Sequence, residues 1–206
     1  MVMIKEKPRI LLDLDQTLLS AETTEDYDEE KNMKKAKLFN SHNMEDYYIV
    51  FERPGLQEFL DYVFANFKVS IWTAASKDYA VFIIDKIILP KGKDRKLEHI
   101  FFCNHCDVSK KYKKGRSKDL RTIWDIFGLD EYTHDNSFIL DDYDEVYKTQ
   151  TRNCIFAHPF EFTSKHSHKD TYLKKLQELL PGLIKRHRNN GSVQKAVQEI
   201  NDKKLK

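Results

Sequence analysis

Two aspartates one residue apart, Asp13 and Asp15, close the apolar run Arg9-Ile10-Leu11-Leu12 and lead into Gln16-Thr17-Leu18-Leu19. Carboxylates in that spacing share a face while strand geometry persists, because side chains alternate with a period of two. At the end of a buried strand they repel each other and resist desolvation. A divalent cation, which takes carboxylate oxygens, is the simplest group to offset that cost. A second acid pair, Asp141-Asp142, closes the run Ser137-Phe138-Ile139-Leu140, and Thr73 follows the run Lys68-Val69-Ser70-Ile71-Trp72. Between them Lys118-Asp119-Leu120 opens a helical stretch. Acid pair, hydroxyl, amine and acid pair stand in that order along the chain.

Several elements must position these groups. Continuous apolar runs such as Ile10 to Leu12 suit central parallel strands covered on both faces. Leu56, Phe59, Leu60, Val63 and Phe64 recur at helical spacing over 55–66, and a second helix is predicted over 77–88, stopped by Pro90. Strand, helix, strand, helix is the alternation that builds a parallel sheet with right-handed crossovers. The segment 20–37 has no apolar periodicity and reads as a loop or flexible insertion. Tyr47 to Phe51 reads as a strand, the return arm of a hairpin starting near Leu38, and it ends at the turn Arg53-Pro54-Gly55. Residues 91–117 break the alternation and read as a small antiparallel ribbon, with strands at 100–102 and 108–112. Helices over 119–127, 169–180 and 183–188 and a strand over 153–157 complete the pattern. The prediction is one three-layer α/β domain over 1–188, with 19–50 as a flap or short cap and 91–117 as the ribbon. A basic C-terminal tail, 189–206, follows, with one further helix from Ser192.

The 206 residues carry 35 Lys and Arg against 33 Asp and Glu, near neutrality, but the charges are segregated. The stretch 22–30 is acidic, while 91–121 and 165–206 are basic, a pattern able to steer a phosphorylated or otherwise acidic partner. No apolar run of about 18 residues exists, so no membrane span is expected, and Met1 to Pro8 lacks the features of a secretory leader. Three cysteines cannot all pair, which points to a reducing interior, cytoplasmic or nuclear. Cys103-Asn104-His105-Cys106 has no second pair to complete a structural zinc site.

The string Asp13-Leu14-Asp15-Gln16-Thr17 resembles the first signature of the haloacid dehalogenase superfamily. With Arg53-Pro54-Gly55, Trp72 to Ser76, Lys118-Asp119-Leu120 and Leu140-Asp141-Asp142, the chain is similar, from about residue 9 to 180, to the phosphatases of the RNA polymerase II C-terminal repeats and their small, NLI-interacting-factor-like relatives. The resemblance implies a Rossmann-like fold, Mg2+, and an aspartyl-phosphate formed on Asp13 with Asp15 as general acid and base. It places Thr73, with backbone amides at Ala74, and Lys118 on the phosphoryl oxygens. The metal falls to Asp13, the Asp15 carbonyl and Asp142, with Asp141 sharing ligation or orienting a water. Close relatives often carry Asp-Asn where this chain has Asp141-Asp142, so that division of roles stays open. Thr17 is expected to fix the turn after the first acid pair. Arg53 is a candidate for substrate contact or, with more weight, for pairing with an acidic neighbour. The implied substrate is a phosphoserine or phosphothreonine segment of a protein such as the polymerase repeats. Nucleic-acid ends, a small phosphate ester, or phosphopeptide binding without catalysis are the alternatives.

Overall fold

The computed structural model describes residues 6–45 and 47–205. The leader reading of the N-terminus therefore falls, up to Lys5, outside the described residues. Five parallel strands form the central sheet in the order β6-β5-β1-β7-β8. They are β1 (Arg9–Leu12), β5 (Lys68–Trp72), β6 (Leu97–Phe101), β7 (Ser137–Asp141) and β8 (Cys154–Phe156). β1 is the middle strand, paired with β5 and β7 so that Leu12 stands level with both Ile71 and Leu140. The period of two is visible in the packing. Ile10, Leu12, Val69, Ile71, Phe138 and Leu140 face one apolar layer, while Leu11, Trp72, Ile139 and Cys154 face the other.

The first layer is covered by α2 (Leu56–Asn66), α3 (Lys77–Ile83), α7 (Tyr172–Arg188) and α8 (Val193–Asp202). α3 runs on into a π-helical turn, Ile84–Ile88, so the helix predicted over 77–88 is present with a change of pitch. The second layer is covered by α4 (Cys103–Tyr112), α5 (Arg121–Asp125) and α6 (Asp144–Thr149). A separate antiparallel sheet, order β2-β4-β3, comprises β2 (Leu19–Thr23), β3 (Ser41–Met44) and β4 (Tyr48–Glu52), with α1 (Glu29–Ala36) between its first two strands.

Three predicted features differ. The segment 91–117 is not an antiparallel ribbon: β6 pairs parallel with β5, and 103–112 is α4. β6 is an edge strand with only Phe101 fully buried, and α4 buries only Cys106 and Ser109, so neither carries a clear apolar period. The small antiparallel sheet lies instead within 19–52. There the expected loop over 20–37 holds β2 and α1, a helix that buries no side chain. α1 is held by end effects: Asp28 accepts from the Lys31 amide, acids occupy its first turn and lysines its last. Finally, the expected basic tail is folded onto the domain over 189–205. Val193, Ala196, Val197 and Ile200 are buried in the core, and the Asn201 amide group pairs with the backbone of β8 at Cys154 and Phe156. α7 also passes without a break through Pro181, which lies on its exposed face.

Candidate active site

In an open parallel sheet, ligands bind beyond the carboxyl ends of the strands. The register of β5, β1 and β7 brings Trp72, Asp13 and Asp141 to one such edge, with Thr73 one residue beyond. The Asp13 amide donates to the Leu140 carbonyl (3.0 Å) and the Ala157 amide to the Asp141 carbonyl (2.9 Å), so the sheet holds both acids by their backbones.

Lys118 reaches this edge from the loop before α5 and is 5 % exposed. Its Nζ donates to Asp13 Oδ1 at 2.5 Å and to Asp141 Oδ2 at 2.8 Å. The loop is itself locked: the Gln150 side chain donates to the Lys118 carbonyl (2.7 Å), and the Asp119 amide donates to Ser109 Oγ (3.1 Å). Burial opposes the charge on Lys118, but Asp13 and Asp141 outweigh it and hold the amine above the usual lysine range. Thr17 is fully buried, with Oγ1 3.0 Å from Asp13 Oδ2 and 2.9 Å from Asp142 Oδ1, and it accepts from the Asp142 amide at 3.1 Å. One hydroxyl proton serves one of the two carboxylates at a time.

Carboxylate oxygens of Asp13, Asp141 and Asp142 all lie within 4.8 Å of one another. Burial pushes Asp141 up to about 7, with Lys118 opposing and Asp13 adding to the rise. Burial, then the charge of Asp13, pushes Asp142 up to about 6, with Thr17 opposing. Three clustered acids against one ammonium leave excess negative charge, and the donors are hard oxygens. That donor set fits Mg2+.

Asp15 does not continue the strand. β1 ends at Leu12, Gln16 adopts φ 59°, and Asp15 forms an isolated bridge with Leu19. Leu14 between the two acids is fully buried. The Asp15 Oδ1 accepts from the Tyr79 hydroxyl at 2.5 Å. Burial pushes Asp15 up to about 6, the Tyr79 bond opposes this, and the charge of Asp13 adds to it. Tyr79, on α3, was not among the sequence candidates. It lies in the apolar stripe of α3, and its ring stands edge-on to Tyr48 of β4 at 5.3 Å.

Thr73 is buried, and its Oγ1 accepts from the Ala75 amide (3.1 Å), which leaves the hydroxyl proton free to donate. Ala74 beside it is exposed. The Cys106 thiol faces the Thr73 carbonyl at 3.5 Å.

Arg53 takes the alternative given more weight in the sequence, a pairing with an acidic neighbour, Asp170. Its guanidinium forms a two-pronged pair with Asp170 (3.0 and 2.9 Å) and donates to the Thr17 carbonyl (2.9 Å). It is packed against the Tyr172 ring at 4.4 Å and the Phe160 ring at 5.5 Å. Arg53 thus anchors the turn that carries Thr17. Arg53→Met should cost about 3 kcal/mol by stranding Asp170 and a buried carbonyl, a fall in Tm of about 6–12 °C. Thermal unfolding beside aryl phosphate kinetics checks this; an unchanged Tm with a raised KM would return Arg53 to the substrate.

With this geometry in hand, the chain can be set beside known proteins. The family model for NLI interacting factor-like phosphatase matches residues 8–190. The chain belongs to that family. Among its relatives, this phosphatase is 48 % identical over 174 residues to the putative CTD phosphatase-like protein 355R of invertebrate iridescent virus 6, covering 83 % of this chain and 96 % of the relative. The protein of the same description in invertebrate iridescent virus 3 is 47 % identical over 184 residues, covering 85 % and 96 %. In structure it is similar to Fcp1, an essential RNA polymerase II CTD phosphatase, with TM-score 0.64 and 16 % identity over 93 % of this chain and 69 % of that one. That likeness shows a shared fold. Among the described residues, no helix is long and apolar enough to cross a membrane.

Proposed function

We propose that this phosphatase hydrolyses phosphoserine or phosphothreonine in a protein segment, through an aspartyl-phosphate on Asp13. The observation that carries the reading is the Lys118 ammonium seated between Asp13 and Asp141 at the ends of adjacent parallel strands. An Asp13 oxygen attacks phosphorus as the bond from phosphorus to the serine oxygen breaks. Asp15, pushed up to about 6, gives its proton to the departing oxygen. In the second half Asp15 takes a proton from the water that attacks phosphorus, and the bond to Asp13 breaks. Thr73, the Ala74 amide and Lys118 hold the phosphoryl oxygens throughout. Asp13, Asp142, the Asp15 carbonyl and Asp141 would hold Mg2+, which would supply neutralisation of phosphoryl charge when bound. Tyr79 keeps the Asp15 carboxyl aimed at the cavity beside it.

A nucleic-acid end is the weaker substrate. The cavity bordering Asp15 has no lysine or arginine among its described lining residues, and binding to polyphosphate backbones rests on such side chains. The three free cysteines fit a reducing interior, cytoplasmic or nuclear.

The test is hydrolysis of an aryl phosphate and of a phosphoserine peptide with added Mg2+ and again with chelator. Turnover of both only with Mg2+, and an acid-stable, hydroxylamine-sensitive phosphate label on Asp13 after rapid quench, is expected. Turnover without any label on Asp13 would replace the covalent route with direct attack by water.

A further inference from the structure

A cavity of about 610 Å3 opens beside Asp15. Its walls include Asp15 and Gln16 from the first motif, Glu22 from β2, Tyr48 from β4, Tyr79 from α3, and Glu161 from the segment after β8. If Asp15 protonates the leaving oxygen, the polypeptide that bears this oxygen must cross the cavity. A space of this volume is about 10 Å across, the span of about three extended residues.

The cavity is not neutral. Glu22 and Glu161 join no ion pair within 4 Å among the described residues, unlike Asp13, Asp141 and Asp170. Among the described residues, Glu22 accepts a 3.3 Å bond from Ser20 Oγ, and Glu161 a 3.4 Å bond from Ser164 Oγ. Both are carried on walls fixed to each other. The Phe162 amide donates to Ser20 Oγ at 3.0 Å, and the Phe162 ring stacks on Phe51 at 3.7 Å. Burial pushes Glu22 upward; the Ser20 bond opposes this, and the charges of Glu161 and Asp26 add to it, with Lys35 opposing. The Lys35 ammonium does not cancel the pair, since it donates to the Ser164 carbonyl (2.7 Å) and sits over the Phe162 ring. The Tyr48 and Tyr79 rings form an aromatic wall able to pack against a guanidinium.

We infer that Glu22 and Glu161 are specificity-determining residues that select a lysine or arginine within about three positions of the phosphorylated residue. This rests on the phosphatase reading and names its substrate class: basic phosphopeptide segments, with acid-flanked ones excluded. A cation there relieves the repulsion between the two glutamates, whereas a glutamate in the same place adds a third negative charge.

The test compares kcat/KM for three phosphoserine peptides that differ only in carrying Arg, Ala or Glu at the flanking positions. It uses the unaltered enzyme and the Glu22→Gln, Glu161→Gln double variant. Two partly exposed ion pairs should favour Arg over Ala by about tenfold in the unaltered enzyme, with Glu the poorest substrate. In the double variant all three should fall within about threefold of one another, with aryl phosphate turnover unchanged. Equal preference in both enzymes, or a Glu peptide as best substrate, overturns the inference. Peptide binding to Asp13→Asn by fluorescence anisotropy separates the two claims. An Arg preference in binding without turnover by the unaltered enzyme would sink the phosphatase reading and leave the glutamate pair standing.

Discussion

Asp13→Asn is expected to lower kcat for aryl phosphate by about 10⁴-fold or more, the scale of loss when a nucleophile is removed from an otherwise intact site. The fold should survive. The asparagine oxygen can still accept from Lys118, and its amide can face Thr17 Oγ1, whose proton then goes to Asp142. Asp13 is also a source of repulsion for Asp15, Asp141 and Asp142, since its charge raises each of them. Removing that charge should therefore leave the Tm unchanged or raise it. Activity and stability moving in opposite directions is the mark of a residue kept for chemistry. If instead the Tm drops steeply along with the rate, Asp13 is a structural partner of Lys118, and the nucleophile must be sought elsewhere.

The parts of the molecule that could be read from residues alone are those buried on both faces. β1, β5 and β7 are mainly apolar runs because each has helices above and below, and Asp13, Thr73 and Asp141 stand at their ends. The register then places all three at one edge without any further signal. The parts that resisted are held by forces with no period. α1 buries nothing and depends on its cap and end charges, so 20–37 reads as a loop. β6 is half covered, and α4 presents two small buried side chains. Contacts between distant residues were likewise out of reach. Arg53 finds its acidic neighbour 117 positions away at Asp170, a pairing set by the packing of α7 against the sheet. Tyr79 looks like any apolar residue of α3, and only the adjacency of β1 and β5 brings its hydroxyl to Asp15. The candidate groups could be read in order along the chain; of the residues that orient them, Thr17 was legible beside Asp13 and Tyr79 was not.

Lys118→Met should cost about 3–5 kcal/mol of stability at neutral pH, because Asp13 and Asp141 then share a buried site with no cation. For a chain of 206 residues that corresponds to a fall in Tm of about 10 °C. The loss should depend on pH in a defined direction. Asp141 and Asp142 are already pushed up, to about 7 and about 6, from ordinary carboxylate values. The folded chain therefore binds more protons than the unfolded chain between about pH 4 and 7, and stability falls as pH rises through that window. Removing the Lys118 charge takes away an influence that lowers Asp141, so the window extends upward. The Tm difference between the two proteins should be small at pH 5, where Asp141 can take a proton in both, and largest above pH 7. Hydrolysis should be lost at both pH values, since a protonated carboxyl cannot replace an ammonium against the phosphoryl oxygens. Added Mg2+ supplies positive charge to the same acids and should narrow the gap in Tm at pH 8. A Tm difference that stays constant from pH 5 to 8 would mean that the methionine fails through packing, and that the ion pairs of Lys118 with Asp13 and Asp141 contribute little.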